Sequence, residues 1–213
     1  MITILIPIYN GIEFILESVQ SVQAQTYSDW QLLIGVNGYS GEESDVYLRA
    51  SFYASEKIQV YNMETVGKSN TLNALLERAS EIVCLLDVDD IWVPTKLEKQ
   101  IPWMEQYDVV GSGCQYFGTR MDSPAIPYGE IDPQVFMRVN PIINSSAMFR
   151  ADIAYWDAEW EGIEDYEMWL RLNHEGKKFY NLDEKLVYHR IHEASAFNTK
   201  RFDLKGVVNQ WRV

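Results

Sequence analysis

The sequence predicts an α/β fold: a Rossmann-like, mostly parallel central sheet flanked by helices, with a smaller mixed region in its second half. Three observations carry this. At 213 residues the chain is long enough for one sizeable core and short for two. Apolar residues make up 47% and charged residues 23%, the composition of a folding globular domain and not of a disordered chain. Over the first half strand-like and helix-like patterns alternate, whereas beyond Asp108 that alternation fades.

The opening run Ile2–Pro7 reads as the first strand. Ile12, Ile15, Leu16, Val19 and Val22 then recur at helical spacing, a buried stripe that core packing explains fully. Gln31–Val36 and Lys57–Tyr61 are the second and third strands. Leu72, Leu75, Leu76 and Ala79 repeat the helical stripe before a fourth strand at Ile82–Asp87, and Pro94 opens a helix expected to run to about Gln106. Farther on, Gly111, Gly113 and Gly118 punctuate short strand-like pieces, and Ser123–Pro133 is expected to be a surface loop. A strand at Ser145–Phe149, a helix from Glu164 to about His174, and a strand pair at Lys178–Leu182 and Lys185–Ile191 complete the order. No internal repeat, low-complexity segment or linker interrupts it, so one domain is expected over residues 1–213.

Lys and Arg total 18 against 31 Asp and Glu, a formal net charge of −13 that would repel a polyanion. Nucleic acid is therefore not expected as a partner. Of two cysteines, Cys84 lies in the apolar run Ile82–Leu86, where a buried free thiol is the natural reading. The run Ile2–Ile8 is too short for a membrane span, is interrupted by Pro7 and lacks a basic leader. The expectation is a cytoplasmic chain, soluble or membrane-peripheral, without an integral membrane segment.

In open parallel sheets ligands bind beyond the carboxyl ends of the strands, so the residues there carry the chemistry. The fourth strand ends abruptly in Asp87-Val88-Asp89-Asp90. Such crowding of carboxylates is costly without a cation, and an extended backbone would turn Asp87 and Asp89 to one side. Hard oxygen ligands with open positions suit Mg2+ or Mn2+. Capping of the next helix is the competing account. After the first strand stand Pro7, Ile8, Tyr9 and Asn10, and after the second Asn37; Tyr9 offers a ring to a base and Asn37 an amide, against packing and a turn before Gly38. Lys68 precedes a helix and could hold a phosphate or stay solvated. Glu164 and Asp165 open a helix, where the helix dipole also favours acids. Asp165 as a general base needs only hydrogen-bond reach of an acceptor hydroxyl. On an extended strand Arg190 and His192 share a face opposite His189, and could meet a diphosphate or a metal together.

Taken in order, Ile4–Asn10, Ser18–Tyr27, Leu86–Trp92, Asn144–Arg150, Glu164–Tyr166 and Tyr188–His192 with Ser195 resemble glycosyltransferase family 2, whose members share the GT-A fold. The resemblance implies transfer of a sugar from a nucleotide diphosphate donor, UDP-sugar first and dTDP- or GDP-sugar next, to the hydroxyl of a glycan or glycoconjugate. It implies inversion at the anomeric carbon, and Mn2+ or Mg2+ as cofactor. Residues 1–110 would form the nucleotide-sugar half and 111–213 the acceptor-binding and catalytic half. Pro7, Ile8, Tyr9, Asn37, Lys68, Asp87, Val88 and Arg190 would meet the donor; Asp89, Asp87 and His192 the metal; and Asp165, beside Glu164, the acceptor proton.

The sequence departs from the family pattern at Val36-Asn37-Gly38-Tyr39-Ser40, where an aspartate pair is common, which opens the choice of base. It also reaches Val213 soon after the last motif, compatible with one domain of a longer enzyme. A sugar-phosphate nucleotidyltransferase and a non-catalytic carbohydrate-binding module are the alternative readings. The first is opposed by the absence of a Gly-rich, Arg-bearing loop after the first strand.

Overall fold

The structure, a computed structural model, describes residues 1–38, 44–63, 65–192 and 203–212. Its first half is wholly parallel: β1 (Ile2–Ile8), β2 (Trp30–Asn37), β3 (Ile58–Met63) and β4 (Ile82–Leu85) lie side by side in the order β3-β2-β1-β4. Strands β1, β2 and β4 are largely buried on both faces and read as near-continuous apolar runs, whereas β3, at the sheet edge, buries fully only Ile58. Alternation divides their side chains between two cores. Ile4, Ile6, Ile8, Leu32 and Ile34 pack with Ile15, Val19 and Val22 of helix α1 (Ile15–Gln23) and with Ala50 of α2 (Asp45–Ser51). Leu5, Leu33, Val83 and Leu85 pack on the other side with Leu72 and Leu75 of α3 (Lys68–Leu76). Gly35 lies where β2 and α3 come closest: a Cβ there would stand 2.5 Å from Thr71 Cγ2.

Helix α2 has no stripe in the sequence, because Ala50 is its one buried residue; the Ser44 hydroxyl caps it by accepting from Tyr47 N. The helix expected from Pro94 to Gln106 is instead α4 (Lys96–Gln100) followed by a 3-10 segment, Ile101–Glu105. Pro102, which has no N–H to give, sits at that junction.

The second half adds β5 (Ile91–Trp92), β6 (Val109–Gly118), β7 (Gly129–Glu130), β8 (Met148–Arg150) and β9 (Phe179–Ile191). From β4 the sheet continues β8-β6-β9-β5, with β7 also on β9. Strand β8 is antiparallel to both β4 and β6, while β6 and β9 are parallel. The glycines of β6 do not divide it, and the two strands expected after Lys178 are one: their surplus residues are absorbed as a register shift opposite Ser112, Gly113 and Cys114. The strand expected at Ser145–Phe149 starts later, after a 3-10 turn at Asn144–Ser146. Helix α5 (Glu164–His174) begins where expected and fills the second core with Met168, Trp169, Leu170 and Leu172. A short α6 (Leu204–Gln210), which the sequence reading did not include, is capped by Asp203 and buries Val207 in the same core. Among the described residues no helix is long and apolar enough to cross a membrane, and both cysteines are buried and free.

Candidate active site

The carboxyl ends of β1, β2 and β4 and the first turn of α3 open onto one edge of the sheet. The loop after β4 is not extended there: it turns, with Asp90 N donating to Asp87 O at 3.0 Å. The expectation that Asp87 and Asp89 converge by alternation is therefore corrected. They go to different partners.

Asp87 belongs to a neutralised cluster. Its Oδ1 accepts from Lys68 Nζ at 2.8 Å and its Oδ2 from Asn144 Nδ2 at 2.9 Å, with Ser145 Oγ at 3.4 Å. Ser145 Oγ also accepts from Asp87 N at 3.0 Å, and the Ser145 carbonyl is held by the indole of Trp92 at 2.8 Å. Lys68 reaches on to Glu164 Oε1 at 3.4 Å, so one ammonium links the end of β4 to the start of α5. Burial works against both charges, yet the pairing prevails: Lys68 is raised and Asp87 lowered from their ordinary values. The solvated alternative for Lys68 is not what the structure adopts.

Asp165 is next to this cluster. It accepts from Tyr166 N at 2.7 Å and from Asn140 Nδ2 at 3.2 Å. Burial, and then the Glu164 carboxylate, push it up to about 6, with Lys68 opposing. Such a group is mostly ionised at neutral pH and still basic enough to accept a proton. Glu164 is buried and accepts from Gly162 N.

Asp89 and Asp90 form a second cluster with the end of β9. Asp89 Oδ2 lies 3.0 Å from His192 Nε2. Burial, then Asp90 and Asp87, raise its pKa, and the contact with His192 only partly offsets them. Asp90, fully buried, accepts from Arg190 N at 2.9 Å and lies 2.8 Å from His189 Nδ1. Burial disfavours a charged His189, but Asp90 outweighs it and brings the imidazole up to about 9.

The face expected to be shared by Arg190 and His192 does not form, because β9 ends at Ile191 and His192 leaves the strand. His192 goes to Asp89. Arg190 is directed at neighbouring protein groups: its guanidinium lies between the rings of Phe14 and Phe117, at 4.4 and 4.3 Å, and donates to the Asp89 carbonyl and to Glu17 Oε2. It fixes the loop from behind, and the diphosphate role expected of it is set aside on that ground.

On the nucleoside side, Tyr9 is 54% exposed and its ring covers Gly38, where a Cβ would come within 2.5 Å. Ile8 is a core side chain and Val88 is buried against Gly11, so neither side chain is available to a ligand. Pro7 sits half-buried within β1. Asn37 is buried, donating to Ile8 O at 3.1 Å and accepting from Gly67 N at 3.3 Å; its amide ties three strand-end loops together and is not presented to a base edge. Tyr39, Ser40 and Ser195 lie outside the described residues.

The sequence reading missed Asn140, Asn144, Ser145, Glu161 and His189. Asn144 and Ser145 stood in a family-like segment without a role, and His189 was placed opposite Arg190 without one. Asn140 and Glu161 gave no signal, since each meets its partners only through tertiary contact.

The described residues hold no ready-made cluster of three or more ligands for a metal. Asp89 and His192 nevertheless fit a hard divalent cation: one carboxylate and one imidazole meet at 3.0 Å, and the Asp90 and Asp87 carboxylates repel the charge on Asp89. Two protein ligands suit an ion that keeps water and phosphate oxygens in its shell. Asp87, expected as a further ligand, has both oxygens engaged by Lys68, Asn144 and Ser145.

Comparison with known proteins identifies the family and the fold. The chain is 26% identical over 94% of its length to the putative glycosyltransferase EpsE of Bacillus subtilis, and 28% identical over 92% to the O-antigen biosynthesis glycosyltransferase WbnJ of Escherichia coli. It spans 76% and 81% of those proteins. Its fold is that of S. aureus TarS in complex with UDP-GlcNAc, with a TM-score of 0.77 at 16% identity over 99% of this chain. The mannosyltransferase PcManGT of Pyrobaculum calidifontis, in complex with GDP-Man and Mn2+, gives a TM-score of 0.68 at 16% identity over 92% of this chain. The chain spans less than two thirds of either, 65% and 58%. This is the GT-A arrangement of a curled sheet with flanking helices. The family model described as glycosyl transferase family 2 matches residues 3–197, and the chain belongs to that family.

Proposed function

We propose that the chain catalyses metal-assisted, inverting transfer of a sugar from a nucleotide diphosphate donor, a UDP-sugar, to a hydroxyl of a glycan or glycoconjugate. The observation that carries this is Lys68, whose ammonium joins the donor-side carboxylate Asp87 to the Glu164–Asp165 pair across the sheet edge. Donor and acceptor chemistry are thereby held side by side. The UDP assignment is supported by TarS with UDP-GlcNAc and by the E. coli relative WfaP, described as a UDP-Glc-dependent β-1,3-glucosyltransferase and 26% identical.

In this reading Asp165 takes the proton of the acceptor hydroxyl. The freed oxygen attacks the anomeric carbon on the side opposite the nucleoside diphosphate, the sugar–phosphate C–O bond breaks, and the electron pair leaves on the diphosphate. No covalent enzyme intermediate forms. Asn140 and the Tyr166 N–H orient the base, and Asn144 and Ser145 orient Asp87 toward ribose or diphosphate. Lys68 neutralises Asp87, which lowers the cost of an anionic ligand arriving beside a carboxylate. Asp89 and His192 would hold Mn2+ or Mg2+, which supplies Lewis-acid stabilisation of the departing diphosphate.

The test is calorimetric titration of a panel of nucleoside diphosphates and nucleotide sugars with and without Mn2+. Tightest binding by UDP or a UDP-sugar, strengthened by Mn2+, is the expected result. Equal affinity for all bases, or no response to the metal, overturns the donor assignment. Release of pyrophosphate from a nucleoside triphosphate would replace transfer with nucleotidyl transfer.

A further inference from the structure

We propose that Glu161 is a positioning residue for the transfer step: it latches the segment leading into Glu164–Asp165 onto the first turn of α3. This rests on the transferase reading and extends it to a residue outside the reacting groups.

Helix α3 lacks a cap of its own, since Gly67 stands at its N-cap with φ of 113° and no side chain to offer. The unpaired N–H groups of a first turn need acceptors. Glu161 supplies them from the other half of the chain. Its Oε1 accepts from Lys68 N at 2.5 Å, and its Oε2 from Ser69 N at 3.1 Å and Ser69 Oγ at 2.8 Å. A carboxylate is favoured at that end of a helix by the dipole as well as by the hydrogen bonds.

Two further contacts make this a latch and not a lone cap. One turn along α3, Asn73 is paired reciprocally with the backbone of Trp156: Nδ2 donates to the Trp156 carbonyl at 2.7 Å and Oδ1 accepts from Trp156 N at 3.0 Å. Beyond Glu161, the Lys68 ammonium reaches Glu164. The segment from Trp156 to Glu164 is thus gripped at its start, middle and end by one face of α3, and it delivers Asp165. The donor-side Lys68 takes part twice, through its N–H and through its ammonium. A proton acceptor that must meet an alkoxide-forming oxygen depends on such a grip, because a misplacement of about 1 Å can cost 10²-fold in rate.

Glu161 is exposed, so Glu161→Ala removes no core packing. Two measurements on the purified chain test the proposal: hydrogen exchange, and turnover of UDP-glucose and UDP-GlcNAc with Mn2+ across a set of sugar and glycolipid acceptors and water. E161A is expected to raise exchange both in the first turn of α3 and in residues 161–165. Its kcat should fall roughly 10- to 100-fold while UDP affinity stays within about twofold. Glu161→Gln, which keeps one acceptor oxygen, should fall between, and Asn73→Ala should lower kcat without adding its full effect in the double variant. Faster exchange confined to α3, an unchanged kcat, or UDP affinity falling in step with kcat overturns the latch and leaves the transferase reading standing. A wild-type chain that turns over no donor with any acceptor overturns the transferase reading and the latch with it.

Discussion

Asp87 and Asp89 stand two residues apart on one loop, yet their surroundings are opposite in kind. Asp87 is met by an ammonium, an amide and a hydroxyl, and its pKa is lowered. Asp89 is crowded by Asp87 and Asp90 on the carboxylate side and has one imidazole in return, and its pKa is raised. The difference teaches where an incoming cation gains most. Near Asp87 an ammonium bonds the carboxylate itself; at Asp89 the nearby cations are turned elsewhere, Arg190 to the Asp89 carbonyl and Glu17, and His189 to Asp90, so the carboxylate keeps a repulsion that a divalent ion would relieve.

The sharpest way to break this division is through the base beside the neutralised cluster. Asp165→Asn should lower transfer by about 10³-fold, within the range for a lost general base, while leaving UDP affinity and its Mn2+ response intact in calorimetry. A collapse of metal-dependent binding in that variant would show that the two clusters act as one. Next in size, Asp89→Ala should abolish the Mn2+-dependent part of UDP binding, whereas Asp87→Asn should weaken binding equally with and without the metal. The reverse pattern would exchange the roles of the two aspartates.

A smaller effect sharpens the account of Asp87. Lys68→Met leaves Asp87 and Glu164 without their shared cation and should cost about 1–3 kcal/mol in urea unfolding, with Asp87→Asn in that background restoring part of it. No recovery would mean that Lys68 stabilises by packing alone.

The smallest effect is in pH. Asp165 is raised to about 6, so its contribution to stability is present below the unfolded carboxyl pKa and is lost as pH rises from about 4 through 6. Discounted for the water that reaches this half-buried side chain, D165N should gain about 1 kcal/mol, roughly 2–4 °C in Tm, at pH 7.5 and nothing at pH 4. Turnover of the wild type should rise with a midpoint near pH 6, and Glu164→Gln should move that midpoint down. An unshifted midpoint would remove Glu164 as a cause.

Much of the frame was legible because it follows local rules. The parallel strands announce themselves as β-branched runs, α1 as a stripe and α5 as an acidic start followed by apolar residues. The errors fall where a local signal misleads or is missing. Pro102 split one helix, α2 buries too little to leave a stripe, and the glycines of β6 suggested breaks that pairing with β9 overrides. At the site, residue type singled out Asp87, Asp89, Lys68 and Asp165, and the structure brings Lys68 onto Asp87 and Glu164 at one sheet edge. It did not reveal the turn that separates Asp87 from Asp89, nor the two rings that claim Arg190.

By itself, then, the chain's order of residues determined the alternating core, the strand-end clustering of carboxylates and the family pattern, because periodicity and composition act over neighbours a few positions apart. Tertiary structure alone decided which carboxylate is met by an ammonium and which is crowded by other carboxylates. It also decided that Glu161 caps a helix 93 positions away, and that His189 answers Asp90 from 99. Those outcomes depend on charges and hydrogen-bond donors brought together from distant segments, and Coulomb's law sums over distance in space, not along the chain.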